Sequence, residues 1–123
     1  MAEFAFHSPM SEVQNLVATW RKEGATLVLT NGVFDVFHIG HLAVLESAAA
    51  QGDKLIVAVN ADASVKRLGK GPDRPLNHES DRMAVLAALR CVDAVVLFDD
   101  ATPLSVVKTL SLIHISEPTR QSP

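Results

Sequence analysis

The chain has 123 residues and is 48% apolar, enough for one domain of ordinary size with its own core, so intrinsic disorder as the whole account is excluded. Eleven Lys and Arg against fourteen Asp and Glu leave a formal charge of -3; nucleic acid and anionic membranes find no global basic field, and any bound anion needs a local site. A single cysteine, Cys91, excludes an intrachain disulfide framework and a Cys-based structural zinc, no apolar run reaches the roughly 18 residues that span a bilayer, and no signal-peptide pattern opens the chain. A soluble cytoplasmic protein is expected.

Ser8 before Pro9 reads as an N-cap with proline at the first helical position, and Met10, Val13, Leu16, Val17 and Trp20 recur at helical spacing until Gly24. This predicts an amphipathic helix whose apolar stripe, Trp20 included, faces the core. Thr26 to Thr30 is a short β-prone run ending at Asn31-Gly32, and Ile39 to Gln51 is a helix rich in Ala and Leu, with Gly52 at C′. Lys54 to Asn60 is a continuous apolar run, which suits a strand covered on both faces. Asp62 caps a short helix ending near Leu68. Gly69 to Pro75 is a loop that, with Arg67 just before it and Lys70 and Arg74 inside it, forms the basic concentration of the chain. Asn77 caps a helix through Arg90 with Met83, Leu86, Ala87 and Leu89 on its apolar side, Asp93 to Phe98 is a third strand, and Thr102-Pro103 starts a last helix. The order calls for a parallel sheet with right-handed crossovers and helices on both faces, where ligands sit at the carboxyl ends of the strands.

The first strand-to-helix turn, Thr30 to His41, is where chemistry is expected. Gly32 frees the backbone for a tight turn or a close ligand. Gly40 stands in the first helical turn, where glycine costs about 1 kcal/mol relative to alanine, a cost that a ligand touching the backbone would explain. His38 and His41 are three apart and share a helix face, adding imidazoles to the N–H groups and positive dipole end of a helix N-terminus, which makes an anion site suited to phosphate. Neither G-x-G-x-x-G nor G-x-x-x-x-G-K-[ST] occurs, so nicotinamide and P-loop readings lack support. By itself the H-x-x-H pair reads as a helix cap and a packed histidine. No third ligand stands at metal-site spacing, so no protein metal site is expected. Arg67, Lys70 and Arg74 alone read as a solvated loop, Arg82 as an ion-pair partner of Glu79 three residues back, and Cys91 as packing.

GVFDVFHIGH resembles the G-x-F-D-x-x-H-x-G-H signature of the cytidylyltransferase-like nucleotidyltransferases. NADASVKRLGKGPDRPLN, followed by ESDRMAVLAALRCVDAVVLFDDATP, is similar to the adenylyltransferase domains of ADP-heptose synthases, and the resemblance covers about residues 13–109. It implies an α/β, Rossmann-like doubly wound parallel sheet of order 3-2-1-4-5. It also implies transfer of AMP from ATP, carried with Mg2+, to heptose 1-phosphate, giving ADP-heptose and pyrophosphate for lipopolysaccharide cores. His38 and His41 become the catalytic histidines on the triphosphate. Asn31, Gly32, Val33, Phe34 and Gly40 line the nucleotide, with backbone N–H groups offered at 32–34, and Asp35 orders the loop or contacts the nucleotide. Val33 stands where the family commonly has Cys, a harmless change where the backbone does the work. Arg67, Lys70 and Arg74 take the substrate phosphate, and Arg82 orders the site. Homodimers are common in the family. The alternatives are a cytidylyltransferase for glycerol phosphate or ethanolamine phosphate, separable by comparing ATP with CTP, and a non-catalytic interaction module.

After Thr109 the family pattern stops, and Leu110 to Arg120, LSLIHISEPTR, is identified as the translation of a transposon-end sequencing adapter. The expected division is therefore 1–24 as the leading helix, 25–109 as an incomplete nucleotidyltransferase domain and 110–123 as a non-native tail in which His114 has no function. Family members continue with two further strands, a Lys-Gly-Gly-Asp-like segment and a Ser-Thr-Thr-like loop. Without them the strand at Thr26 to Thr30 becomes an edge and the crevice lacks one wall, so little or no turnover is expected of this chain by itself. Met1 to His7 read as a genuine start, and hence as a stand-alone transferase.

Overall fold

A computed structural model describes residues 10–69, 73–99 and 102–110. Its elements run α1 (Met10–Lys22), β1 (Leu27–Gly32), α2 (Ile39–Ala49), β2 (Lys54–Asn60), α3 (Asp62–Arg67), α4 (Glu79–Ala87), β3 (Ala94–Phe98) and α5 (Leu104–Leu110). Among the described residues the strands form one parallel sheet of order β1-β2-β3, with Leu27 opposite Lys54 and Ile56 opposite Ala94. This is the α/β, Rossmann-like architecture expected from the sequence, with β1 at the outer position. The reading at Ser8-Pro9, Lys70 and the segment 111–123, His114 included, lie outside the described residues; α5 itself runs through Leu110.

Both faces of the sheet are covered because successive side chains of a strand point to opposite sides. Val28, Leu55, Val57, Val59 and Val95 face α2 and α4, where Leu45, Ala48, Met83 and Leu86 complete one core layer. Leu27, Leu29, Ile56, Ala58, Val96 and Phe98 face α1 and α5, meeting Val13, Val17, Trp20 and Val106. The unbroken apolar run of β2 follows from this double burial: Leu55 to Val59 are all fully buried.

The amino ends of the strands share a device. Asp53 N–H donates to Thr26 O (2.8 Å) while Thr26 N–H donates to the Asp53 carboxylate (2.7 Å). Asp93 and Leu55 repeat the exchange one strand over, at 2.9 and 2.7 Å. Each aspartate thus satisfies a backbone donor at a strand start and pins the register.

Three local expectations are corrected. Gly52 is not a left-handed C′ residue, since α2 closes at Ala50, whose N–H donates to Glu46 O (3.1 Å). Gly52 is there for close approach: a Cβ would lie 2.7 Å from Val28 Cγ2 and 2.9 Å from Thr26 O. Asp62 does not cap α3, whose N-cap is Ala61 without a side-chain bond, and Asn77 does not cap α4, whose N-cap is His78 and whose last residue is Ala87 rather than Arg90. Both side chains are drawn away by tertiary partners. Gly24, by contrast, does close α1 in the left-handed region, at φ +78°.

Candidate functional site

The carboxyl end of β1 carries the turn 33–38 into α2. Phe34 holds φ +52°, a left-handed conformation that costs a non-glycine residue on the order of 1 kcal/mol. Burial of its ring in the core and an edge contact with the His41 ring, centroids 5.6 Å apart, hold it there. Gly32 is required by that ring, because a Cβ at 32 would lie 2.9 Å from Phe34 Cε2. Gly40 has a local cause too: a Cβ would lie 2.8 Å from His38 Cε1, so glycine makes room for the first histidine whether or not a ligand is present.

The two histidines form a reciprocal cap. Gly40 N–H donates to His38 Nδ1 (3.0 Å), and His38 N–H donates to His41 Nδ1 (3.2 Å). A ring nitrogen that accepts a backbone N–H is unprotonated, so each neutral imidazole carries its proton on Nε2. Two Nε2–H donors are thus presented side by side at a helix N-terminus, their rings 4.0 Å apart. His41 also stacks on Phe37 at 5.5 Å. Burial among these rings, and secondarily the neighbouring His38, lowers its affinity for a further proton below the ordinary histidine value.

Asp35 fastens the segment 73–77 to this turn. Its carboxylate accepts from Leu76 N–H (2.8 Å), Asn77 N–H (2.8 Å) and Arg74 Nη1 (2.9 Å), and its carbonyl accepts from Asn77 Nδ2. Burial acts to raise the Asp35 carboxyl, but the bonds from Leu76 and Asn77 and the Arg74 guanidinium outweigh it and hold the group below the usual carboxylate range. Of the two roles open to Asp35, ordering the loop is thus the one its contacts perform.

Arg82 is buried and does not pair with Glu79. Its guanidinium donates to Asn77 O (3.0 Å), Val33 O (2.8 Å), Asn60 O (2.7 Å) and the Asp62 carboxylate (2.6 Å). Glu79 instead accepts from Asp62 N–H (2.8 Å). One side chain therefore joins the ends of β1 and β2 to the starts of α3 and α4. Arg67 lies at the end of β3, where it donates to the Asp99 carboxylate (2.8 Å) and carbonyl. Asn31, Gly32 and Val33 are partly exposed at the end of β1, and His38 and Gly40 are exposed. The arrangement brings His38, His41, Asp35, Arg74 and Arg82 around one turn, and leaves Arg67 on a separate strand end.

Sequence reading did not single out Asp62 and Asn77 for this framework, marking both as caps. The available signal was Arg82 itself, a guanidinium among the buried positions of an amphipathic helix, which demands acceptors from elsewhere in the chain. Among the described residues no three His, Cys, Asp or Glu side chains gather into a metal cluster.

Comparison with known proteins places this geometry in a family. Residues 29–118 match the cytidylyltransferase-like family. The chain is 57% identical over 95 residues to the bifunctional protein HldE of Azorhizobium caulinodans, covering 77% of this chain and 20% of that protein. It is 51% identical over 102 residues to the bifunctional protein HldE of Gluconobacter oxydans, covering 83% and 21%. It spans about a fifth of the length of these curated relatives. The crystal structure of the lipopolysaccharide core biosynthesis protein from Thermoplasma volcanium matches with a TM-score of 0.68 at 30% identity, over 75% of this chain and 73% of the other. This chain belongs to the cytidylyltransferase-like family.

Proposed function

We propose that the turn at the end of β1 is a nucleotidyltransferase site that moves AMP from ATP to heptose 1-phosphate, releasing pyrophosphate and giving ADP-heptose for lipopolysaccharide cores. The observation that carries this reading is the reciprocal His38–His41 cap, which leaves two Nε2–H donors at a helix N-terminus. An oxygen of the sugar phosphate attacks the α-phosphorus in line and the bond to pyrophosphate breaks; no covalent enzyme intermediate is needed. His38 and His41 donate hydrogen bonds to the phosphate oxygens as charge develops there. Asn31, Gly32, Val33, Phe34 and Gly40 border the nucleotide. Lys70 meets anionic substrate, Arg67 stays with Asp99 at the end of β3, and Arg82 keeps the turn in place. Mg2+ enters with ATP as the substrate complex. The relatives named HldE and the neighbour named for lipopolysaccharide core biosynthesis support the heptose assignment. No described helix is long and apolar enough to cross a membrane, and a supply of ATP points to the cytoplasm. Homodimerisation belongs to the same reading.

The test is to incubate the chain with α-labelled ATP or CTP, Mg2+ and heptose 1-phosphate, and to separate the labelled sugar nucleotide. Label is expected from ATP in small amount, in keeping with the low turnover expected of this chain by itself, and His38→Ala or His41→Ala removes it relative to the same chain unaltered. Label from CTP alone, or onto glycerol phosphate rather than heptose phosphate, replaces this reading with the cytidylyltransferase one. Absence of nucleotide binding at every Mg2+ concentration replaces it with a non-catalytic module.

A further inference from the structure

We propose that Arg74 is a positioning residue for nucleotide binding, cancelling the charge of Asp35 and fastening residues 73–77 to the β1–α2 turn, and that it is not the grip on the sugar phosphate. The inference rests on the nucleotide reading of this site. Asp35 stands in the turn between Phe34 and His38, in the stretch that borders the triphosphate, and its side chain is only 7% exposed. A bare carboxylate there repels a polyanion with little water to screen it.

Leu76 and Asn77 N–H fill oxygen lone pairs of Asp35 but leave its negative charge in place. Arg74 is the cationic partner that removes it, at 2.9 Å. The geometry is a two-sided stitch. Arg82 holds Asn77 O and Val33 O from within the core, and Arg74 closes the outer side, its own side chain 39% exposed. A guanidinium committed to a buried carboxylate offers a substrate phosphate little net charge. The position read from sequence as a substrate clamp therefore acts through Asp35.

The two roles separate in a double-mutant cycle on the full chain, reading Mg2+–ATP affinity by titration calorimetry. Arg74→Ala is expected to weaken ATP binding on the order of 10-fold when Asp35 is present, because an unpaired carboxylate is left beside the ligand. In the Asp35→Asn background the same substitution is expected to cost less than about 2-fold, and Arg74→Lys to restore most of the affinity. Denaturant unfolding of each variant identifies any that has lost its fold; Arg74→Gln then replaces Arg74→Ala in the cycle. Equal losses in both backgrounds make Arg74 a direct ligand contact and overturn the proposal, as does unchanged affinity in Arg74→Ala. An unaltered chain that binds no Mg2+–ATP overturns the nucleotide reading and this proposal together, whereas binding with additive losses overturns this proposal alone.

Discussion

His41 shows how one ring serves a cap, a stack and a donor pair at once, and the cap requires the neutral form. Its Nδ1 accepts the His38 N–H and its ring lies between Phe34, Phe37 and His38. Protonating Nδ1 turns an acceptor into a donor facing another donor. With its proton affinity lowered in the folded state, the unfolded chain binds more protons between the ordinary histidine value of about 6.5 and the lower folded one, so stability falls as pH drops through that window. Denaturant midpoints measured at pH 7 and pH 5 are expected to show this loss, and the difference between the two is expected to shrink in His41→Gln. An identical pH difference in the variant would remove His41 as the cause. The sequence shows both histidines, their spacing and a helix cap as the reading of the bare pair, but not that the two rings cap reciprocally, because H-x-x-H is compatible with several ring orientations. Phe34 at positive φ and the room left by Gly40 select one.

The repeated aspartate at each strand start ties neighbouring elements together. Asp93 serves Leu55, which is fully buried, whereas Asp53 serves the exposed Thr26. An N–H left unpaired in the core costs more than one that water can reach. Asp93→Ala is therefore expected to destabilise by about 2 to 3 kcal/mol and Asp53→Ala by about 1 kcal/mol, read from chemical denaturation. Equal effects would show that burial of the donor is not what sets the cost. Helix ends follow a similar logic. Asp62 and Asn77 have the composition of caps and lie at helix starts, yet an arginine and the Asp35 carbonyl, both distant in sequence, take their side chains instead.

At the scale of the whole molecule the framework of the site passes through Arg82, which joins four segments with one guanidinium. Its loss leaves three carbonyls and the Asp62 carboxylate without their donor. Arg82→Met is expected to cost about 3 to 5 kcal/mol, and Arg82→Lys to recover little, since a single ammonium lacks the planar fork that reaches them all. Chemical denaturation checks the size, and faster amide exchange at Leu76 and Asn77 is expected to accompany it. Full recovery by lysine would reduce Arg82 to a simple charge. The alternation of apolar runs with helical spacings determined the parallel sheet and its two covered faces, because periods of 2 and 3.6 residues report local geometry directly. The signature from Gly32 to His41 determined the family and the end of the sheet at which to look. Which partner each charged or polar side chain chose was decided by tertiary structure: Arg82 for Asp62, Arg74 for Asp35, Asn77 for the Asp35 carbonyl. Those pairs lie 20 to 42 residues apart in the chain. They form only when folding brings the carboxyl ends of β1 and β2 together and removes water, so that a polar group shielded from solvent must find a counterpart within reach.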